Sequence, residues 1–169
     1  MSDTNLSAEA PAPDEAGGGS LGIPEISSRI ERVLVPVDGS QGSERAMAYA
    51  AMVSRATGAE LIVVVAFDPP VAIRRKAGPL EVQHERAEME AEARELAAEA
   101  VVLLQGKGHE ARGIVIRGEP AEAILELAER DRADLIVLGR RGHSTLKGLL
   151  VGSVSERVAR HADVPVLLV

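Results

Sequence analysis

Cysteine and tryptophan are absent from the sequence, and Tyr49 and Phe67 are its only aromatic residues. Without cysteine there can be no disulfide and no thiolate-ligated metal, which fits a reducing compartment. With so few aromatics, a packed interior has to be built from Val, Leu, Ile and Ala, and the 46% hydrophobic composition permits one. A basic surplus is also missing: 26 acidic against 19 basic side chains leave a formal charge of −7. No basic patch is interleaved with aromatics, so nucleic acid is not an expected partner. The longest apolar run, Leu61 to Phe67, has seven residues, against the ~18 or more of a membrane span. No membrane partner is expected either. The N-terminal MSDTNLSAEAPAPDEAGGGS has neither the basic start nor the apolar core of a secretory signal. Together these absences lead us to expect a cytoplasmic protein.

Several catalytic signatures are missing as well. There is no G-x-x-x-x-G-K-[ST], no G-x-G-x-x-G after the first predicted strand and no G-x-S-x-G elbow between a predicted strand and a helix, which argues against a P-loop NTPase, a dinucleotide fold and an α/β-hydrolase. The segment D-G-S-Q-G-S at 38–43 is faintly like the loop of ATP pyrophosphatases, but its acid precedes the glycine instead of following it. His84, His109, His143 and His161 are scattered, with no H-E-x-x-H pair, so no protein metal site is expected.

What the sequence does contain is an alternation of two patterns. Residues 1–29, rich in Ala, Pro, Gly, Ser and acid, read as a flexible tail preceding a single domain at 30–169. Within that domain, short apolar runs read as strands buried on both faces: RVLVPV, ELIVVVAF, ARGIVIR, Asp134–Leu138 and Pro165–Val169. Amphipathic stretches separate them. The first follows a Ser40 cap, with Ala46, Tyr49, Ala50 and Val53 on one helical face. A long helix from about Leu80 to Gln105 has Met89, Ala93, Leu96, Ala97, Ala100 and Leu104 as its inner stripe, and a third begins at Pro120 with Ile124, Leu127 and Ala128 inside. A fourth begins near Ser153, which forms a capping box with Glu156. The order β-α-β-α-β-α-β-α-β implies one doubly wound parallel α/β sheet with helices on both faces, a Rossmann-like layer.

Ligands in such sheets bind beyond the carboxyl ends of the strands. Asp38 ends the first strand, and the fourth runs into GRRGHSTLKGLLVGSVSE at 139–156. Gly139, Gly142 and Gly152 leave backbone amides free to approach an anion, and the helix that follows adds the positive end of its dipole. Phosphate binding explains this bare segment better than a simple turn does. Arg140, Arg141 and Lys147, and Arg74, Arg75 and Lys76 after the second strand, are candidate counter-charges.

The motifs V-P-V-D-G-S at 35–40 and G-x2-G-x9-G-S at 139–153, followed by V-P-V-L-L-V at 164–169, resemble those of the ATP-binding branch of the universal stress protein family. The likeness spans roughly residues 31–169. It implies an adenine-nucleotide alpha-hydrolase-like sheet of strand order 3-2-1-4-5. It also implies ATP as ligand, with AMP and cyclic AMP left open, and Mg²⁺ or Mn²⁺ arriving with the phosphates. By the resemblance, Asp38 contacts the ribose region, Pro36 lies two residues before it, and the Ala66 backbone meets the adenine. Leu138, Gly139, Gly142, Gly152, Ser153 and Val154 form the phosphate loop. A homodimer through the fifth strand, 165–169, is implied too, acting as a stress-response sensor that passes nucleotide occupancy to a partner. Two other functions remain open: slow ATP hydrolysis or phosphate transfer, for which no base is apparent, and a nucleotide-free interaction scaffold.

Overall fold

The computed structural model describes residues 29–68, 79–142 and 151–169. Residues 1–28 of the expected tail and the cations Arg74, Arg75, Lys76 and Lys147, with His143, lie outside them. Five strands, β1 (Arg32–Pro36), β2 (Glu60–Phe67), β3 (Ala111–Arg117), β4 (Leu135–Leu138) and β5 (Val166–Leu168), form one parallel sheet in the order β3-β2-β1-β4-β5. Four helices connect them: α1 (Gln41–Thr57), α2 (Pro79–Gly106), α3 (Pro120–Arg130) and α4 (Ser153–His161). Fold class and strand order are those expected.

Alternation within the strands makes both faces of the sheet apolar. Val33, Val35 and Val37 of the first segment, with Leu61, Val63 and Val65 of β2, join the core beneath α1 and α2. Leu34, Ile62 and Val64 point the other way, into a second core with Ile124 and Leu127 of α3 and Val158 of α4. This is why β1 and β2 read as unbroken hydrophobic runs: a strand covered on both sides has no polar face to alternate with. Ala93, Ala97, Ala100 and Leu104 are the buried points of α2, and the three alanines are small enough to let a long helix lie close to the sheet.

The element ends follow local chemistry. At the start of α1 the Ser40 side chain accepts a hydrogen bond from the Ser43 amide, and Gly58 ends the helix in the left-handed region at φ 78°. Two expectations need correction. Tyr49 is 46% exposed, because α1 packs over β1 and β4 and buries Ala46, Ala50 and Ser54 instead. The cap of α4 is Gly152, not Ser153, with extended backbone and no side-chain capping bond. The Glu156 amide donates to the Gly152 carbonyl, which moves the helix start one residue earlier than the Ser153–Glu156 pairing implied. The fourth and fifth strands also each begin one residue later than expected.

Candidate functional site

The β1–β4 adjacency brings two distant chain segments together. β1 turns out of the sheet after Pro36, and Gly39, at φ 78°, makes the reversal that only a residue without Cβ adopts easily. The Asp38 carboxylate stabilises that turn, with Oδ1 accepting from the Ser40 amide at 3.0 Å and from the Ser40 hydroxyl at 2.6 Å. Ser40 in turn caps α1. Across the gap, β4 ends at Leu138, and the chain passes directly over the first turn of α1.

Glycine is required at this crossing for lack of bulk. A Cβ on Gly139 would stand 2.5 Å from the backbone carbon of Gly42, and one on Gly42 would stand 2.0 Å from the Arg141 carbonyl oxygen. A Cβ on Gly142 would meet Asp38 Oδ2 at 2.3 Å. Any side chain there pushes the loop off β1 or displaces the acid. Gly42 was not singled out from sequence. Its signal was a glycine in a helix's first turn, where helix propensity disfavours it.

Backbone pairing decides which groups face the opening. The Arg140 amide donates to the Val169 carbonyl at 2.7 Å. The Arg140 carbonyl accepts from the Gly152 amide at 2.8 Å and from the Ser155 hydroxyl at 2.9 Å. Gly152 therefore closes the base of the loop, and its amide is already engaged. The amides of Ser153, Val154 and Ser155 follow in the first turn of α4, where no intrahelical acceptor exists. On β2, even-numbered residues turn their backbone groups to β1: the Glu60 amide donates to Glu31, and the Val64 carbonyl accepts from Val37. Ala66, two residues on, presents its N–H and C=O on that same side, beyond the point where β1 has left the sheet.

These groups enclose a cleft of about 250 Å³. Pro36, Asp38, Ala66, Leu138, Gly139, Gly142, Gly152, Ser153 and Val154 all line it, so the ribose, adenine and phosphate-loop positions implied by the resemblance arrive at one place. Arg141 lines it as well, while Arg140 does not. Sequence reasoning had not placed Ser40, Ser43, Pro120 or Ser155 there, although each does so in the structure. Of the three helix starts whose caps are described, α1 is closed by Ser40 and α3 by the Glu119 carboxylate with Pro120 at its first position. Only α4 lacks a side-chain cap. An anion entering the cleft therefore meets one uncapped positive helix end.

The profile of the Universal stress protein family matches residues 29–169. The chain belongs to that family. A Thermus aquaticus relative described as "Universal stress protein in QAH/OAS sulfhydrylase 3'region" is 38% identical over 140 residues, covering 83% of this universal stress protein and 98% of its own length. Among solved structures, that of hypothetical protein MJ0577, from Methanocaldococcus jannaschii, superposes with a TM-score of 0.72 at 26% identity, covering 83% of this chain and 95% of that one. A universal stress protein in complex with cAMP superposes at 0.62 with 32% identity, covering 82% and 96%. Among the described residues no helix of this universal stress protein is long and apolar enough to cross a membrane.

Proposed function

We propose that this universal stress protein binds an adenine nucleotide, ATP in the first instance, and serves as a dimeric stress-response sensor. The observation that carries the reading is the convergence at one cleft of the Ala66 backbone pair, the Asp38 carboxylate, the close-packed glycine loop and the uncapped start of α4. Adenine offers an acceptor beside an amino donor, which complements an N–H and C=O presented together. The Asp38 carboxylate already accepts from Ser40, yet a carboxylate has about four lone-pair sites, so a ribose hydroxyl has room to donate to it. Phosphates then reach the first-turn amides at Ser153–Ser155 and the backbone at Gly142, with the Arg141 side chain nearby. The relative solved with cAMP supports an adenine nucleotide as the ligand class. Mg²⁺ or Mn²⁺ would be carried in by the phosphates, since no cluster of metal-ligating side chains occurs among the described residues.

Calorimetric titration with ATP, AMP and cAMP tests the reading and ranks the ligands. Wild-type protein is expected to bind, and Gly142→Val to lose at least about tenfold in affinity, since its side chain collides with Asp38 and lifts the loop. Unaltered ATP affinity in that variant would remove the glycine loop from the site. If wild-type protein takes up none of the three, and mass spectrometry finds no adenine nucleotide released on denaturation, the scaffold reading prevails.

A further inference from the structure

At the end of the sheet opposite the cleft, α3 and α4 finish side by side and leave a groove of about 500 Å³, larger than the cleft itself. Its floor is apolar, with Leu125 from α3, Ala133 from the turn before β4 and Val164 from the approach to β5. Its rim carries Glu126, Glu129 and Asp163, all exposed. Among the described residues the side-chain carboxylates of these three have no ion-pair or hydrogen-bond partner. A fourth carboxylate, Asp134, accepts from the amides of Glu31 and Arg32 at 2.8 and 2.9 Å. Arg132 and His161 are the basic groups of the rim.

Two independent sources of negative potential meet here. The carboxylates outnumber the one guanidinium, and both α3 and α4 end at the groove, presenting the negative poles of their dipoles. The cleft has the reverse arrangement, with helix starts converging. Water alone would satisfy the carboxylates but not the apolar floor. A floor of Leu, Ala and Val beneath an unpaired acidic rim complements a segment with aliphatic side chains on one face and Lys or Arg on the other.

We infer that this α3–α4 groove docks a basic amphipathic segment of a partner protein. The aliphatic side chains lie on Leu125 and Val164, and the cations reach Glu126, Glu129 and Asp163. This holds independently of the nucleotide reading, and groove and cleft can be filled together because they lie at opposite ends of the sheet.

The probe is a fluorescein-labelled Lys/Leu peptide patterned for an amphipathic helix, followed by fluorescence anisotropy against the full-length protein. Controls are the same peptide with Glu for Lys, and a Lys/Ser peptide of equal charge. The Lys/Leu peptide should bind, and the Glu/Leu and Lys/Ser peptides should bind at least about tenfold more weakly. Combining Glu126→Lys, Glu129→Lys and Asp163→Lys should weaken Lys/Leu binding by at least about tenfold, while Glu92→Lys, Glu95→Lys and Glu99→Lys on exposed α2 should leave it unchanged. Circular dichroism checks that each variant folds. Asp163→Lys alone, outside the helices, provides a milder version with a loss in the same direction. Equal losses from the two triple reversals, equal binding of the Lys/Ser peptide, or no binding by wild-type protein would overturn the inference.

Discussion

Ser54 and His109 form a buried polar pair in a largely aliphatic interior. The Ser54 hydroxyl donates to the Ala59 carbonyl at 2.8 Å and lies 3.1 Å from His109 Nδ1. With its hydrogen committed to Ala59, Ser54 Oγ is the acceptor for an N–H on Nδ1, which fixes the tautomer. The other ring nitrogen is buried with no partner among the described residues. Removing the hydroxyl by Ser54→Ala leaves Nδ1 without its acceptor as well, and should destabilise the fold by about 1–3 kcal/mol. Urea denaturation measures this, and an unchanged midpoint would show that the pair contributes nothing. At the same scale, legibility from sequence was uneven. Asp38, Gly142 and Ala66 were readable because motif and strand position identify them. Gly42 was not, because its partners at Gly139 and Arg141 lie far along the chain and meet it only when β4 is laid beside β1.

Where elements join, one cluster of charge pairs gathers on the turn after α3, besides the pairs of Arg157 on α4 with Glu119 and Glu122. The Arg112 guanidinium on β3 donates to Glu60 on β2 and to Asp131 at the end of α3, both at 2.7 Å. Arg130 donates to the other oxygen of Asp131. The hydrogen bond from Arg130, followed by that from Arg112, holds the Asp131 carboxyl below the ordinary aspartate value of 3.8, against an opposing effect of burial. A depressed native value means that this stabilisation is fully present above the unfolded-state value and is lost as pH falls through the native one. Asp131→Asn should therefore lower Tm at pH 7, and the gap from wild type should close as the medium is taken below about pH 4. A gap that stays constant with pH would exclude an ionic origin. Element order was legible because doubly covered strands and amphipathic helices have different periods. Tyr49 and the cap of α4 were not. Periodicity cannot tell which margin of α1 the sheet covers, and cap preference favours Ser153 although the hydrogen bond between Gly152 and Arg140 sets the helix start.

For the whole molecule, the exposed edge at β5 bears on the proposed dimer. Leu167 and Val169 are half-buried at the margin of the α1–α2 core, and Tyr49 and Met52 on α1 are 46% and 60% exposed. An edge strand carries unpaired backbone groups and is a ready surface for strand pairing. Sedimentation equilibrium should give about twice the 17.8 kDa chain mass, and Leu167→Lys, which puts charge on the edge, should return it to the monomer value. A wild-type mass of one chain at every concentration would exclude self-association.

By itself the sequence determined the order and type of the elements, the aliphatic character of the core and the loop able to lie close to an anion. These follow from local periodicity, composition and glycine spacing. Tertiary structure decided which helix start remains uncapped, which amides the loop keeps for its own closure, and that Gly42 has to be small. The constraint on Gly42 depends on Gly139 and Arg141, about a hundred residues away, being laid against it by the pairing of β1 with β4, and the loop closure on Arg140 meeting Gly152 and Val169, relations that no local pattern records.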